Sequence, residues 1–209
     1  MTMSEEKKAH AYQGLEERTV VLMKPDAVKR GLVGEAIARF EKAGLRLVAL
    51  KMITLTPEFA RGHYPGTDEW LAGMGNKTLE NYEKYGIDAD AELGTSDPLE
   101  IGHKIFDWIE DYMTSGPVVA MALQGNHAID NVRMIVGNTM PVFAEPGTFR
   151  GDFSVDSPAL ANAQKRAIRN LIHASGDPEE AAHEIEYWFG PEDIQNYNRA
   201  DEAVMFHGE

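Results

Sequence analysis

The sequence predicts a mixed α and β chain built around one four-stranded sheet, and three observations carry that expectation. Four short apolar runs alternate with stretches whose apolar residues recur at helical spacing. Glycine and proline mark most of the boundaries between them. Hydrophobic residues make up 43% of the 209 positions, enough for one well-buried core, with room for an appended subdomain.

Residues 1–17 are polar and patternless and are expected to form a flexible N-terminal arm. From Thr19 to Met23 (TVVLM) the chain reads as a buried strand, stopped where Lys24-Pro25-Asp26 breaks the pattern. Val33, Ala36, Ile37 and Phe40 then fall on one face of a helix that ends at Gly44. Leu45 to Leu55 alternates as a second strand, and Thr56-Pro57-Glu58 reads as a helix start. Between Pro65 and His103, Gly66, Gly73, Gly75, Gly86 and Gly94 interrupt a charged segment carrying Trp70, Tyr82 and Tyr85, which reads as an insertion of small helices and loops. Ile105 to Met113 is helical by pattern, and Pro117 to Leu123 is a third buried strand. Ile129, Val132, Ile135 and Val136 line another amphipathic helix, closed by Gly137. After a Pro- and Gly-bearing loop, Ala159 to Ala167 reads as a short helix and Asn170-Leu171-Ile172 as a very short fourth strand. Pro178 opens a last helix with Ala181, Ile185 and Trp188 inward. This order fits an open parallel sheet or a split β-α-β arrangement, the latter with helices over one face.

The charge balance narrows the function classes. Twenty Lys+Arg against 34 Asp+Glu give a net charge of −14, which opposes non-specific nucleic-acid binding and requires any phosphate ligand to be held by a local cluster of basic groups. With no cysteine, disulfide scaffolds, Cys-zinc sites and thiol nucleophiles are excluded. The first residues carry no apolar targeting stretch and no run approaches membrane-spanning length, so a cytoplasmic protein with no membrane partner is expected.

Neither common phosphate-loop motif is present; Gly73-Met74-Gly75-Asn76-Lys77-Thr78 lacks the spacing of both. Lys24, Arg133, Thr139 and Arg150 instead gather in or beside the turns that follow predicted elements. Together they are the parts of an anion cradle, although each alone is also a solvated charge or a turn residue. His173 ends the fourth strand, with Ser175 two residues on and Glu184 in the next helix. That arrangement suits a nucleophile or general base oriented by a carboxylate, and equally a histidine packed at the core edge. His63, His103, His127 and His183 show no metal-ligand spacing, so no protein metal site is expected.

Taken together, Lys24-Pro25-Asp26, Arg30-Gly31-Leu32-Val33-Gly34, His63-Tyr64, Ser115-Gly116-Pro117-Val118, Pro146-Gly147-Thr148-Phe149-Arg150-Gly151-Asp152-Phe153 and Asn170-Leu171-Ile172-His173-Ala174-Ser175 with Glu184 resemble the nucleoside diphosphate kinase family. The likeness covers residues 18–63 and 110–197 in the family's order. It implies an α+β, ferredoxin-like β-α-β-β-α-β core, with a four-stranded antiparallel sheet covered by helices and an inserted helical segment. It also implies a homo-oligomer, hexamer or tetramer. The implied reaction is ping-pong: a γ-phosphate passes from a nucleoside triphosphate (ATP, GTP) to a histidine and then to a nucleoside diphosphate (ADP, GDP). A non-catalytic nucleotide-binding member of the same fold is the alternative. On this resemblance His173 is the nucleophile, Glu184 and Ser175 orient it, and Lys24 and Tyr64 stand near the transferred phosphate. Arg133, Thr139 and Arg150 hold the remaining phosphates, and Asn170 meets the ribose region. Mg²⁺ arrives bound to the nucleotide phosphates.

Three departures from the family pattern stand out. Residues 65–103 are largely extra, and counting back from Ser115 places Ile105 and Ile109, with Phe106 adjacent, where an aromatic and an aliphatic residue usually hold the base. A second insertion is expected at 155–167. The usual Gly-Ser-Asp after the histidine reads Ala174-Ser175-Gly176, with Asp177 one place later. The domain itself is expected to run from 18 to 209.

Overall fold

The computed structural model describes residues 16–207. Its centre is a four-stranded sheet of β1 (Glu16–Met23), β2 (Arg46–Thr54), β3 (Pro117–Asn126) and β4 (Ile172–Ala174), in the order β2-β3-β1-β4. All three neighbouring pairs are antiparallel, so the open parallel alternative does not apply. Glu16 and Glu17, expected in the arm, pair with Asn126 and Gly125 and belong to the sheet. The rest of the expected arm lies outside the described residues.

Helix α1 (Pro25–Lys29) and α2 (Val33–Lys42) follow β1, and α3 (Pro57–Gly62) follows β2. The insertion comprises α4 (Asp68–Tyr85), α5 (Ala89–Leu93) and the first turns of α6 (Pro98–Thr114). Between β3 and β4 lie α7 (Ala128–Val136), a 3₁₀ turn (Pro141–Phe143), α8 (Phe149–Phe153) and α9 (Pro158–Ala163). The chain continues through α10 (Pro178–Trp188), a second 3₁₀ turn (Pro191–Asp193) and a π turn (Ala203–His207).

Both faces of the sheet are covered, rather than the one face expected for a split β-α-β. On one side Phe40 of α2 and Val132 of α7 pack on Val21, Met23, Met121 and Leu123; on the other, Trp188, Met113 and Ala60 pack on Val20, Leu22 and Ala120. The reason is legible in β1 and β3: Val20 to Met23 and Val118 to Leu123 are buried without alternation, and a strand with one wet face would alternate.

The insertion also differs from the small helices and loops expected. Its helices α4 and α6 are 18 and 17 residues long and lie against each other. Gly75 meets the Pro98 carbonyl and Gly102 the Leu71 carbonyl so closely that neither position has room for a Cβ. These glycines admit a tight helix contact, whereas a linear reading takes Gly75 as a breaker. Near the end of the core, β4 sits two residues later than expected, so His173 is its central residue, opposite Leu22.

Candidate active site

His173 is placed by a distorted approach to β4. Leu171 has φ of +66°, and the Ile172 amide donates to the Asn170 carbonyl at 2.7 Å, closing a γ-turn. A left-handed leucine costs on the order of 1–3 kcal/mol and is held by its surroundings, here a side chain 1% exposed in the core. The turn leaves the Asn170 side chain and the His173 ring beside the end of β1.

The imidazole has one hydrogen-bonded nitrogen. His173 Nε2 lies 2.7 Å from Glu184 Oε1, and Ser175 Oγ donates to Glu184 Oε2 at 2.6 Å while accepting from the Val20 amide at 3.1 Å. Burial, followed by the positive charges of Lys24, Arg150 and Arg133, holds the His173 pKa down at about 3. A neutral ring facing a carboxylate carries its proton on Nε2, which leaves Nδ1 with a free lone pair. Burial raises the Glu184 pKa, opposed by His63 and by the Ser175 hydroxyl. With both oxygens receiving donors, the carboxylate form is the one this geometry serves.

Lys24 sits between β1 and α1, kept extended by Pro25 at φ −74° and ψ 165°. Its Nζ donates to Asn170 Oδ1 at 2.8 Å, and Asn170 Nδ2 in turn donates to the Thr139 carbonyl at 3.1 Å. Burial and the nearby Arg150 bring its pKa down to about 7, with Asp26 opposing. Arg150, in the first turn of α8 below the Thr148 cap, donates to the carbonyls of Asn170 (3.1 Å), Gly137 (2.7 Å) and Ile172. Burial lowers its pKa to about 10, so it stays charged at neutral pH. Arg133, exposed on α7, reaches toward the loop after β4, where its Nη1 would lie 3.5 Å from a Cβ at Gly176. Among the described residues, Lys24, Arg133 and Arg150 have no acidic partner at ion-pair distance. Two buried cations and a third nearby, none paired, leave a local excess of positive charge in an acidic protein.

The altered residues after the histidine have a structural outlet. The Gly176 amide donates to Glu180 Oε2 at 2.5 Å, in space a Cβ would occupy, and Asp177 caps α10 by accepting from the Glu180 amide at 2.9 Å.

The three residues counted toward a base site separate. Phe106 packs edge-on to Tyr64 and Trp70, with centroids at 6.1 and 5.5 Å. Ile105 joins the insertion's own cluster with Tyr82 and Ile101, and Ile109 packs under the sheet with Met113 and Trp188. Ile105 and Ile109 thus pack against different clusters in this arrangement. Thr139 is exposed beside Asn170, and Tyr64 reaches the site through His63, whose ring lies 4.7 Å from it.

His63 and Trp188 belong to the site although sequence reasoning gave neither a role. The His63 ring stands edge-on to His173 at 4.6 Å, and Trp188 Nε1–H donates to His63 Nδ1 at 3.2 Å. An indole only donates, so His63 carries its proton on Nε2 and is neutral, in keeping with a pKa lowered to about 3 by burial and by His173. Its 3.5 Å approach to Glu184 Oε1 is thus not an ion pair. The available signal was spacing: Trp188 is four residues after Glu184, on the same face of α10.

A neutral histidine backed by a carboxylate, with unpaired cations nearby, is chemically suited to taking up a phosphoryl group, and comparison with known proteins points to a family. The nucleoside diphosphate kinase family profile matches residues 17–70 and 99–194. A nucleoside diphosphate kinase of Pyrobaculum aerophilum is 52% identical over 178 residues, covering 85% of this chain and 97% of the relative. One of Archaeoglobus fulgidus is 40% identical over 190 residues, covering 91% and 97%. The crystal structure of an NDP kinase from P. aerophilum superimposes with a TM-score of 0.84 at 50% identity, covering 87% of this chain and all of that one. A transition-state mimic of the Borrelia burgdorferi enzyme with bound vanadate and ADP gives 0.72 at 32% identity, covering 91% and 97%. The order of motifs, the antiparallel sheet and the extent of these matches agree on one conclusion: the chain belongs to the nucleoside diphosphate kinase family.

Proposed function

We propose that His173 carries the phosphoryl group in a ping-pong exchange between nucleoside triphosphates and diphosphates such as ATP, GTP, ADP and GDP. The observation that supports this most directly is the free Nδ1 of a neutral His173, oriented by Glu184 and standing beside Lys24 and Arg150. Its lone pair attacks the γ-phosphorus, the bond from phosphorus to the β,γ-bridging oxygen breaks, and the diphosphate leaves with that electron pair. In the second half a terminal oxygen of another diphosphate attacks the phosphorus, the P–N bond breaks, and neutral His173 returns. Lys24, Arg133 and Arg150 counter charge on the phosphate oxygens, Thr139 and Asn170 bind alongside, and the Tyr64 hydroxyl donates to the transferred group. Burial raises the Tyr64 pKa, which keeps that proton in place.

Mg²⁺ bound to the nucleotide supplies further neutralisation of phosphate charge. The residues present suit that route. His63, His173 and Glu184 bring donor atoms within 4.8 Å of one another, but both Glu184 oxygens are engaged by His173 and Ser175, and the phosphate end of the site is cationic. The metal would therefore be held by phosphate oxygens rather than by these side chains.

We also infer a homo-oligomer, hexamer or tetramer. Edge strand β2 leaves Leu50 and Met52 more than half exposed, and Val155, between α8 and α9, is 91% exposed, so apolar side chains are available for contact between copies. No helix among the described residues is long and apolar enough to cross a membrane, and the acidic charge supports a cytoplasmic enzyme that does not bind nucleic acid.

The deciding experiment incubates the protein with γ-labelled ATP and Mg²⁺ without acceptor. An acid-labile, base-stable phosphoprotein that GDP discharges as labelled GTP is expected, and His173→Asn should take no label. Nucleotide binding without a labelled protein would overturn the catalytic reading.

A further inference from the structure

Tyr64 is oriented without a hydrogen bond. It follows the end of α3, where its amide donates to the Arg61 carbonyl at 3.1 Å, and its hydroxyl has no hydrogen-bond partner among the described residues. Ring contacts therefore set its direction. Trp70 lies along its face, with centroids 5.7 Å apart and planes 25° from parallel, and Phe106 closes a triangle edge-on to both. Phe106 is itself fixed: it is 6% exposed, and the Arg61 guanidinium sits 4.7 Å above its ring while bonded to Asp107 and Glu110 of α6.

Trp70 is the last residue of the first family-matched segment and lies in the first turn of α4, whose remainder falls with α5 within residues 71–98, outside the match. The insertion is thereby joined to the nucleophile by successive ring contacts. Trp70 meets Tyr64, Tyr64 meets His63 at 4.7 Å, and His63 meets His173 at 4.6 Å. Trp188 pins the His63 ring from behind. Only the Trp70 contact in this series originates from α4, and it covers the Tyr64 face that the edge-on neighbours do not.

We propose that Trp70 is a positioning residue, through which the inserted helices hold the Tyr64 hydroxyl toward the transferred phosphate. This rests on the reading of Tyr64 as a donor to that phosphate. With Trp70 removed, the phenol gains rotamer freedom and meets the phosphate in a smaller fraction of encounters. Ground-state nucleotide binding, carried by Lys24, Arg133 and Arg150, changes little.

The test is a double-mutant cycle read by rapid mixing: labelling of His173 by saturating Mg·ATP in wild type, Trp70→Leu, Tyr64→Phe and the double variant, with KM and thermal unfolding measured for each. Trp70→Leu is expected to slow labelling about tenfold, short of the hundredfold loss an ångström-scale misplacement can cause, with KM changed less than about twofold. Trp70→Phe, which keeps a stacking ring, should restore most of the rate. In the Tyr64→Phe background the Trp70 substitution should cost almost nothing further, because the hydroxyl it positions is gone. Equal losses in both backgrounds, or a lowered Tm with an unchanged saturating rate, would overturn the proposal. If Trp70→Leu does not fold, the same cycle run with Trp70→Phe decides, its smaller loss vanishing beside Tyr64→Phe. A wild-type chain that takes no label overturns the reading of His173 and this one with it, whereas a labelled wild type with independent losses overturns the role of Trp70 alone.

Discussion

Nucleotide binding should draw a proton from solvent at Lys24. In the free protein burial and Arg150 hold its pKa at about 7, against an ordinary 10.5. A phosphate at Nζ replaces the missing counter-charge and returns the value toward the ordinary one. At pH 8 the free amine is then about one-tenth protonated and the bound one nearly fully, so binding takes up about 0.9 proton; at pH 6 the uptake is about 0.1. The same linkage weakens affinity by about fiftyfold between pH 7 and pH 9, or about 2.3 kcal/mol, and by less than about twofold between pH 6 and 7. Calorimetric titration with Mg·ADP in two buffers of different ionisation enthalpy measures the uptake directly. Working at pH 8 avoids titration of the nucleotide's own phosphate, whose second pKa lies near 6. Lys24→Met should bind more weakly through the remaining arginines and show no uptake. Wild type with no uptake at pH 8, or a variant with the same uptake, would refute this account of the cradle.

Four further outcomes follow from other parts of the molecule. The unfolded chain protonates both His63 and His173 below about pH 6.5 while the native protein does not until about pH 3. Stability should therefore fall as pH drops through that window, with a slope approaching about 2.7 kcal/mol per pH unit from the two rings, measured by urea unfolding at pH 7, 6 and 5. Phosphorylation of His173 at pH 5.5 should keep its neutral nucleophile, so a sharp loss of labelling near pH 6.5 would contradict the burial argument. Glu184→Gln keeps an acceptor for His173 Nε2 but removes the charge behind it, and should slow labelling on the order of a hundredfold without unfolding the protein, as thermal melts would show. Lys165, exposed after α9 with φ of +51°, is a left-handed residue that glycine accommodates without strain. Lys165→Gly should raise Tm by about 2–4 °C with exchange activity unchanged.

What the sequence revealed depended on how local each feature was. The helices α2, α7 and α10 were legible because their apolar residues repeat over two or more turns, and β1 and β3 because continuous aliphatic runs have few other uses. Strand β4 was displaced because three residues carry no period, and the left-handed Leu171 before it has no composition that announces it. In the insertion, Gly75 had the wrong meaning on paper, since only the partner helix distinguishes close packing from a break. Among site residues, His173, Ser175 and Glu184 were readable from their order along the chain. The inward-facing pair His63 and Trp188 depends on β2, α3 and α10 meeting beneath the sheet, and no linear spacing relates residues 125 apart.

The cradle explains how an acidic chain handles an acidic substrate. A net charge of −14 repels nucleotides at long range, but beyond about 8–10 Å such fields are screened at physiological salt, and what acts on a docked phosphate is the group it touches. There the balance reverses. Arg150 gives its donors to three main-chain carbonyls, which satisfy its hydrogen bonds without cancelling its charge, and Lys24 leans on the neutral oxygen of Asn170. Had either been paired with a carboxylate, the site would be more stable when empty and would have to break that pair before each transfer. The carboxylate nearest the imidazole, Glu184, is instead turned behind the ring, where its two oxygens are engaged by His173 Nε2 and the Ser175 hydroxyl. On the roles proposed above, holding the carboxylate behind the histidine ring and away from the cations would let the same cations receive a triphosphate and then a diphosphate, with no internal salt bridge to break at either half-reaction.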